Sequence, residues 1–187
     1  EESMLIANET VACYLRDSEN PSVYRIHELP EPERLEMMRT VLSSFNLPMP
    51  DTEAVKPADF QKLLEMTKGT DEAAVVQTIA LRSMQQARYS TTNAGHFGLA
   101  SECYTHFTSP IRRYPDLMVH RLIRQYQRRG KLTEEESQQS LSYHTIASDQ
   151  ASSRERIAVE AERETDDLKK CQYMLPFIGQ PFEAHIT

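Results

Sequence analysis

Two adjacent arginines, Arg112 and Arg113, lie on a short segment between two prolines, directly after Thr108 and Ser109. A guanidinium is a planar fork that can bind two phosphate oxygens at once, and a proline-bracketed turn can hold two such groups rigidly. Serine and threonine hydroxyls nearby can add phosphate contacts. The segment therefore predicts a phosphate site. The alternative is an arginine pair that ties loops to an acidic neighbour.

The charge distribution singles out the same region. The 187 residues contain 21 lysines and arginines and 28 aspartates and glutamates, so the net charge is −7. This acidic balance argues against attraction of nucleic acid by the whole surface. Residues 112–131 nevertheless carry seven cations against Asp116 alone, a net charge of +6. For Arg128, Arg129 and Lys131 the alternative is a solvated helix end, where the macrodipole favours cations.

Other kinds of site are absent from the sequence. It contains no G-x-x-x-x-G-K phosphate loop, no G-x-G-x-x-G and no G-x-S-x-G nucleophile turn. The six histidines lack metal-ligand spacing, and the aspartates form no dense cluster for two magnesium ions. We expect His96 and His106 to be hydrogen-bonded structural residues.

The cysteines and the hydropathy indicate a compartment. Cys13, Cys103 and Cys171 are odd in number and form no C-x-x-C pair, which disfavours a disulfide framework or a zinc site. No run of 18 apolar residues is present, which disfavours a membrane span. The sequence therefore predicts a reduced, cytoplasmic protein without a membrane association.

The residues that could do chemistry must be positioned by a mostly helical α+β fold. Apolar residues recur at helical spacing, and proline, glycine and capping residues mark where each helix begins and ends. A long last helix is expected to begin at a capping box of Thr133 and Glu136, with a break near residues 142–145 left open. The expected elements are helices over 1–17, 32–45, 57–68, 72–88, 115–130 and 134–173, a strand within 23–27, an extended stretch over 89–109 and a strand over 182–187.

Residues 95–120 read GHFGLASECYTHFTSPIRRYPDLMVH. This segment resembles the signature of the ribonuclease II/ribonuclease R superfamily, the RNB-type exoribonucleases, and its Arg-Arg-Tyr-Pro-Asp form is closer to ribonuclease R. The flanks are similar too, so the resemblance covers essentially the whole chain. It implies that residues 1–176 are the C-terminal half of an RNB catalytic domain and that residues 177–187 begin a C-terminal RNA-binding barrel of the oligonucleotide-binding type. Both ends then look cut from a longer protein.

The resemblance implies a processive 3′→5′ exoribonuclease that uses magnesium to hydrolyse RNA to nucleoside 5′-monophosphates. The family's metal-binding aspartates lie upstream of this segment, so we expect the 187 residues to hold no metal ligands and to be inactive alone. Expected partners are the single-stranded 3′ end of RNA and proteins of RNA decay or ribosome rescue, with a monomeric enzyme.

The resemblance also assigns individual residues. Arg112 matches the family's catalytic arginine, and Arg113 matches a residue that grips the RNA backbone. Glu162 matches an acidic residue that lines the RNA channel, and Glu1 matches one that contacts the terminal nucleotide and its 2′-hydroxyl. Thr108, Ser109 and Tyr104 are further RNA-binding candidates, although for Tyr104 and Tyr114 packing in the core is the alternative to stacking on bases.

Two other functions stay open at this point. One is a non-catalytic RNA- or protein-binding module on a decayed nuclease fold. The other is an acidic helical scaffold with no role in nucleic-acid binding.

Overall fold

Helices and a single pair of short strands make up the regular structure of residues 2–48 and 55–183, the part of the chain that the computed structural model describes. The predicted α+β, predominantly helical fold is confirmed. Within these residues no helix is long and apolar enough to cross a membrane. The elements are α1 (Glu2–Asp17), β1 (Tyr24–Ile26), α2 (Pro32–Ser44), α3 (Pro57–Met66), α4 (Ala73–Ser83), β2 (Arg88–Ser90), α5 (Tyr114–Arg129) and α6 (Glu134–Met174), with short 3-10 helices at Phe97–Leu99 and Leu175–Phe177.

Local signals set most helix starts, as the sequence predicts. Pro32 and Pro57 open α2 and α3, where the missing proline N–H costs no hydrogen bond. The capping box of α6 is present: the Thr133 hydroxyl accepts from the Glu136 N–H at 3.3 Å, and the Glu136 carboxylate accepts from the Thr133 N–H at 3.1 Å. Helix α6 runs through residues 142–145 without a break.

The end of α4 differs from the prediction. The helix stops at Ser83 and not near Arg88, because residues 88–90 form β2 and pair antiparallel with β1. Arg25 lies opposite Tyr89 in this ladder. The strand expected over 182–187 lies mostly outside the described residues, and the boundary at 176–177 remains a prediction.

Helix α6 packs against β2. The Tyr89 N–H donates to the Ser152 hydroxyl at 2.9 Å, and the Arg25 guanidinium forms a bidentate ion pair with Glu155 at 2.6 and 3.1 Å. These bonds fix the first half of α6 against the sheet. From Ile157 onward the helix is exposed.

Two hydrophobic clusters form most of the core. One joins α2, α3 and α4 to the 3-10 helix at Phe97–Leu99. The other joins α1, β2 and α5 and carries the segment that leads to Arg112. Its buried members are Leu15, Val23, Tyr89, Met118, Val119, Leu122, Tyr126 and Leu132.

Candidate nucleic-acid interface

A tight turn over residues 108–113 presents the two arginines, and the first turn of α5 clamps it. The Ser109 N–H donates to Asp116 Oδ1 at 2.8 Å, and the N–H groups of Arg112 and Arg113 donate back to the Ser109 carbonyl at 3.3 and 3.1 Å. Asp116 is fully buried, so the clamp is shielded from water. The turn is therefore held rigidly from below by one carboxylate.

The two arginines differ in their surroundings. Arg113 Nη2 donates to Asp116 Oδ1 at 2.9 Å, and the Arg113 side chain is 22% exposed. Arg112 is exposed and forms no ion pair within the described residues. The sequence left open whether the pair binds phosphate or ties loops to an acidic neighbour. The structure gives the second arrangement to Arg113 and leaves the fork of Arg112 available.

The side-chain rings of Tyr89, His106 and Tyr104 contact one another in a row near this turn, and we call this row the ring ladder. Tyr89 Oη and His106 Nδ1 share a hydrogen bond of 2.9 Å, and the ring centroids of Tyr104 and His106 are 5.8 Å apart. Arg25 stacks over the Tyr89 ring at 4.6 Å. Burial, together with the nearby guanidiniums of Arg113, Arg25 and Arg112, lowers the pKa of His106 to about 3. His106 is therefore neutral near pH 7 and adds no positive charge of its own to that of the nearby arginines.

The expectation of hydrogen-bonded structural histidines is confirmed for His106. His96 is different, because its Nδ1 is buried without a hydrogen-bond partner in the described part of the chain. Burial, followed by the neighbouring His27 and Arg25, lowers the pKa of His96 to about 4.

Because the pKa values of His106 and His96 are lowered in the folded protein, we expect the protein to lose stability in mild acid. An unfolded histidine titrates near pH 6.5, so between about pH 6.5 and 4 the unfolded chain binds protons that the folded chain does not. We expect the free energy of unfolding in urea to fall by roughly 1 kcal/mol per histidine between about pH 7.5 and 5.5. Burial lowers the pKa values of His27 and His144 as well, so the variant His106→Gln should remove the share of a single histidine, roughly 1 kcal/mol, from the total decrease. An equal free energy of unfolding at both pH values would contradict the prediction. Glu19, Glu72 and Glu136, whose pKa values are lowered, affect stability only at pH values below this window, so they cannot mask the effect of the histidines.

Asn8 of α1 fixes the segment before the turn, and sequence reasoning missed it. Its Nδ2 donates to the Tyr104 hydroxyl at 2.9 Å, and its Oδ1 accepts from the Phe107 N–H at 3.0 Å. His120 of α5 holds the same segment from the other side, with its Nε2 2.9 Å from the Phe107 carbonyl oxygen. The only sequence signal for Asn8 is its place on the buried face of an amphipathic helix, which does not indicate a partner.

Gly98 lies against His27 at the start of this segment. The Gly98 N–H donates to His27 Nδ1 at 3.0 Å, and a Cβ atom at Gly98 would lie 2.8 Å from the same nitrogen. We expect Gly98→Ala to lower the free energy of unfolding by about 1–3 kcal/mol, because the buried His27 ring must shift. Urea denaturation measures it, and in a His27→Ala background the penalty should vanish. A stabilised Gly98→Ala, the usual effect of reduced chain entropy, would contradict the steric argument.

The structure separates the predicted site residues. Thr108, Ser109, Arg112 and Arg113 share the turn, and Tyr104 is buried a few residues before it with its hydroxyl bonded to Asn8, which favours packing over stacking on a base.

Among the described residues, no hydrogen bond or ion pair joins Glu162 to that turn. It is exposed on α6, seven residues beyond Glu155 and therefore about 10 Å further along the helix axis. It forms no ion pair within the described residues. Glu1 lies outside the described residues.

Comparisons with known proteins identify the family of this chain. The family model of the RNB domain matches residues 1–129, which include α1, the ring ladder, the turn and α5. The chain belongs to the RNB domain family. The resemblance seen in residues 95–120 is thereby confirmed.

Relatives agree with the family assignment. Ribonuclease R 1 of Lactococcus lactis subsp. lactis is 44% identical over 188 residues, and the match covers 100% of this chain and 23% of that protein. A solved structure of Mycoplasma genitalium RNase R in complex with ribose methylated single-stranded RNA has a TM-score of 0.84 at 28% identity, over 95% of this chain and 28% of that one. Yeast Ssd1, a pseudonuclease, shares the fold alone, with a TM-score of 0.64 at 24% identity over 80% of this chain and 19% of that one. The chain thus spans about a quarter of the length of the ribonuclease R relatives.

Proposed function

We propose that this chain is the C-terminal part of the catalytic domain of a processive 3′→5′ exoribonuclease, and that Arg112 binds the scissile phosphate. The observation that carries the proposal is the exposed guanidinium of Arg112, which has no ion pair within residues 2–48 and 55–183, on a turn clamped by buried Asp116. A fixed guanidinium can stabilise the charge that builds on phosphoryl oxygens in the transition state. The membership of the RNB family and the ribonuclease R relatives support the reaction class.

The other residues of the interface support binding. Arg113 keeps donors beyond the one bonded to Asp116, and its half-buried position suits a contact to the RNA backbone behind the scissile phosphate. The Ser109 and Thr108 hydroxyls lie on the same turn. Glu162, exposed on α6, is proposed to face the RNA channel, where a carboxylate would weaken the hold on the strand and favour its movement.

Magnesium is the proposed cofactor of the intact protein that contains this chain. Among the described residues no group of three or more histidine, cysteine, aspartate or glutamate side chains could hold a metal ion. These residues therefore do not fit a metal site, and we derive no step through the metal. We propose that its ligands lie in the part of the protein outside this chain, so that the 187 residues alone do not hydrolyse RNA.

The substrate, products and setting complete the proposal. We propose that the enzyme is a monomer, takes single-stranded RNA 3′ ends, releases nucleoside 5′-monophosphates and acts in the cytoplasm alongside proteins of RNA decay or ribosome rescue. The Mycoplasma genitalium complex with single-stranded RNA supports the substrate class.

In the deciding experiment the intact protein is incubated with RNA labelled at its 3′ end or at its 5′ end, in magnesium or in EDTA, and the labelled products are followed over time. We expect release of labelled mononucleotide from the 3′-labelled RNA at once, progressive shortening of the 5′-labelled RNA, and no reaction in EDTA. Internal cuts would overturn the exonuclease assignment. Binding of RNA without hydrolysis would instead support the non-catalytic module on a decayed nuclease fold, and absence of both would support the acidic scaffold.

A further inference from the structure

A groove runs between α5 and the first half of α6, on a surface that the proposed chemistry does not use. It encloses about 480 Å³. Its floor is formed by buried side chains of α5, including Met118 and Leu122. We call it the α5–α6 groove and define it by the polar and aromatic side chains of its walls: Tyr114, Arg121, Gln125, Arg129, Gln139 and Tyr143.

Two tyrosines bridge the groove and keep their ring surfaces in solvent. The hydroxyls of Tyr114 and Tyr143 are 2.8 Å apart, and the two residues are 45% and 55% exposed. The hydrogen bond with Tyr143 raises the pKa of Tyr114, an effect that neighbouring Arg121 partly offsets. A hydroxyl bond orients both rings, and exposed oriented rings are surfaces on which nucleic-acid bases stack without sequence preference.

The two arginines of the groove differ in whether a carboxylate neutralises their charge. Arg129 bonds Glu136 at 3.1 Å, and Glu136 is the acidic residue that lines the groove, where it also caps α6 through Thr133. No carboxylate of the described residues pairs with Arg121. A guanidinium without a carboxylate, beside two tyrosines and flanked by the amides of Gln125 and Gln139, favours an anionic ligand with flat rings.

The dimensions suit a short stretch of polynucleotide. Arg121 and Arg129 are eight residues apart on one helix, about 12 Å along its axis. At about 3.4 Å per stacked nucleotide, this distance spans three to four nucleotides. Tyr114 follows Arg113 directly, so the groove begins where the turn of the candidate interface ends.

We propose that the α5–α6 groove is a second RNA site, which binds three to four nucleotides of single-stranded RNA with bases stacked on Tyr114 and Tyr143 and a phosphate on Arg121. The proposal rests on the proposed function for its ligand class. It adds a place on the outside of α5 that holds RNA away from Arg112. Of the basic block beyond the turn, the site uses Arg121.

Photo-cross-linking of the intact protein tests the site directly. Short single-stranded RNA that carries 5-iodouridine is irradiated with the protein in EDTA, which prevents hydrolysis, and the adducts are mapped by mass spectrometry. We expect adducts on Tyr114 or Tyr143. Arg121→Ala should lower the yield of these adducts about tenfold, whereas Arg124→Ala, an equal charge loss on the same helix outside the groove, should change it less than about twofold.

A second pair of variants separates stacking from folding. Tyr143→Ala should reduce the adduct on Tyr114 about tenfold; Tyr143→Phe, which keeps the ring but loses the hydroxyl bond that orients it, should reduce it about threefold; and Tyr14→Ala, an exposed tyrosine on α1, should have no effect. Adducts found only outside the groove, or equal losses for Arg121→Ala and Arg124→Ala, would overturn the groove as an RNA site. The proposed function is judged separately by hydrolysis in magnesium, so either proposal can fail while the other stands.

Discussion

Replacement of Arg112 by alanine is expected to lower the single-turnover rate of RNA hydrolysis by the intact protein about 100- to 1,000-fold, the effect of losing one fixed donor to a developing oxyanion. The side chain is exposed and has no ion pair within the described residues, so its removal leaves no buried partner unsatisfied. We therefore expect the stability and the affinity for RNA to change little. The effect should lie in the rate, because the guanidinium contributes mainly where negative charge builds.

Two variants make this prediction specific. Arg112→Lys keeps the charge but replaces a two-point fork by a single ammonium, and it should recover only a small part of the lost rate. Arg124→Ala removes an equal charge from the exposed surface of α5 and should retain nearly full activity. Wild-type single-turnover hydrolysis by Arg112→Ala would refute the assigned role, as would a loss of rate that equals a loss of RNA affinity.

Replacement of Asp116 by alanine is expected to have the largest effect on folding, a loss of about 3–5 kcal/mol in the free energy of unfolding. The carboxylate is fully buried and accepts from the Ser109 N–H at 2.8 Å and from Arg113 Nη2 at 2.9 Å. Its removal leaves the guanidinium of Arg113, whose Nε has no hydrogen-bond partner in the described part of the chain, without its counter-charge. The turn that carries Arg112 loses its clamp at the same time.

Urea denaturation of the 187-residue chain measures this effect. Asp116→Asn keeps an oxygen acceptor for Ser109 but loses the charge, so it should be intermediate. Asp149→Ala, which removes an exposed aspartate from α6, should change the stability by less than about 0.5 kcal/mol. In a double-mutant cycle, Arg113→Ala should offset part of the penalty of Asp116→Ala, because the two side chains contact each other. A penalty as small as that of Asp149→Ala would mean that the buried carboxylate does not hold the turn.

The interface has this form because a single buried acid performs two tasks. Asp116 pairs with Arg113 through Nη2 and anchors Ser109, which leaves Arg112 as the exposed cation of the turn. A rigid support and an exposed guanidinium without an ion pair among the described residues suit the proposed contact with a phosphate, since the cost of ordering the group is met during folding.

Signals within a few residues of each other were sufficient for most of the elements. Proline at the first turn of α2 and α3 and the capping box of Thr133 and Glu136 act through bonds that the local chain makes with itself, so they could be predicted without knowledge of the fold. The basic block and the proline-bracketed arginines were equally visible. They identified the turn and, with the surrounding motif, the RNB family.

Only the tertiary structure decided which distant residues hold the segment before the turn and the first half of α6 in place. The Asn8 bond to Tyr104 joins residues 96 apart, and the Arg25 bond to Glu155 joins residues 130 apart. The early end of α4 has the same origin, because residues 88–90 gain more from pairing with β1 than from continuing the helix. Periodicity reports which face of an element is apolar, but it carries no information on which distant element will cover that face. The sequence by itself therefore determined the helices and the family motif, and packing across the chain determined which distant residues support the turn, whose own bonds are local.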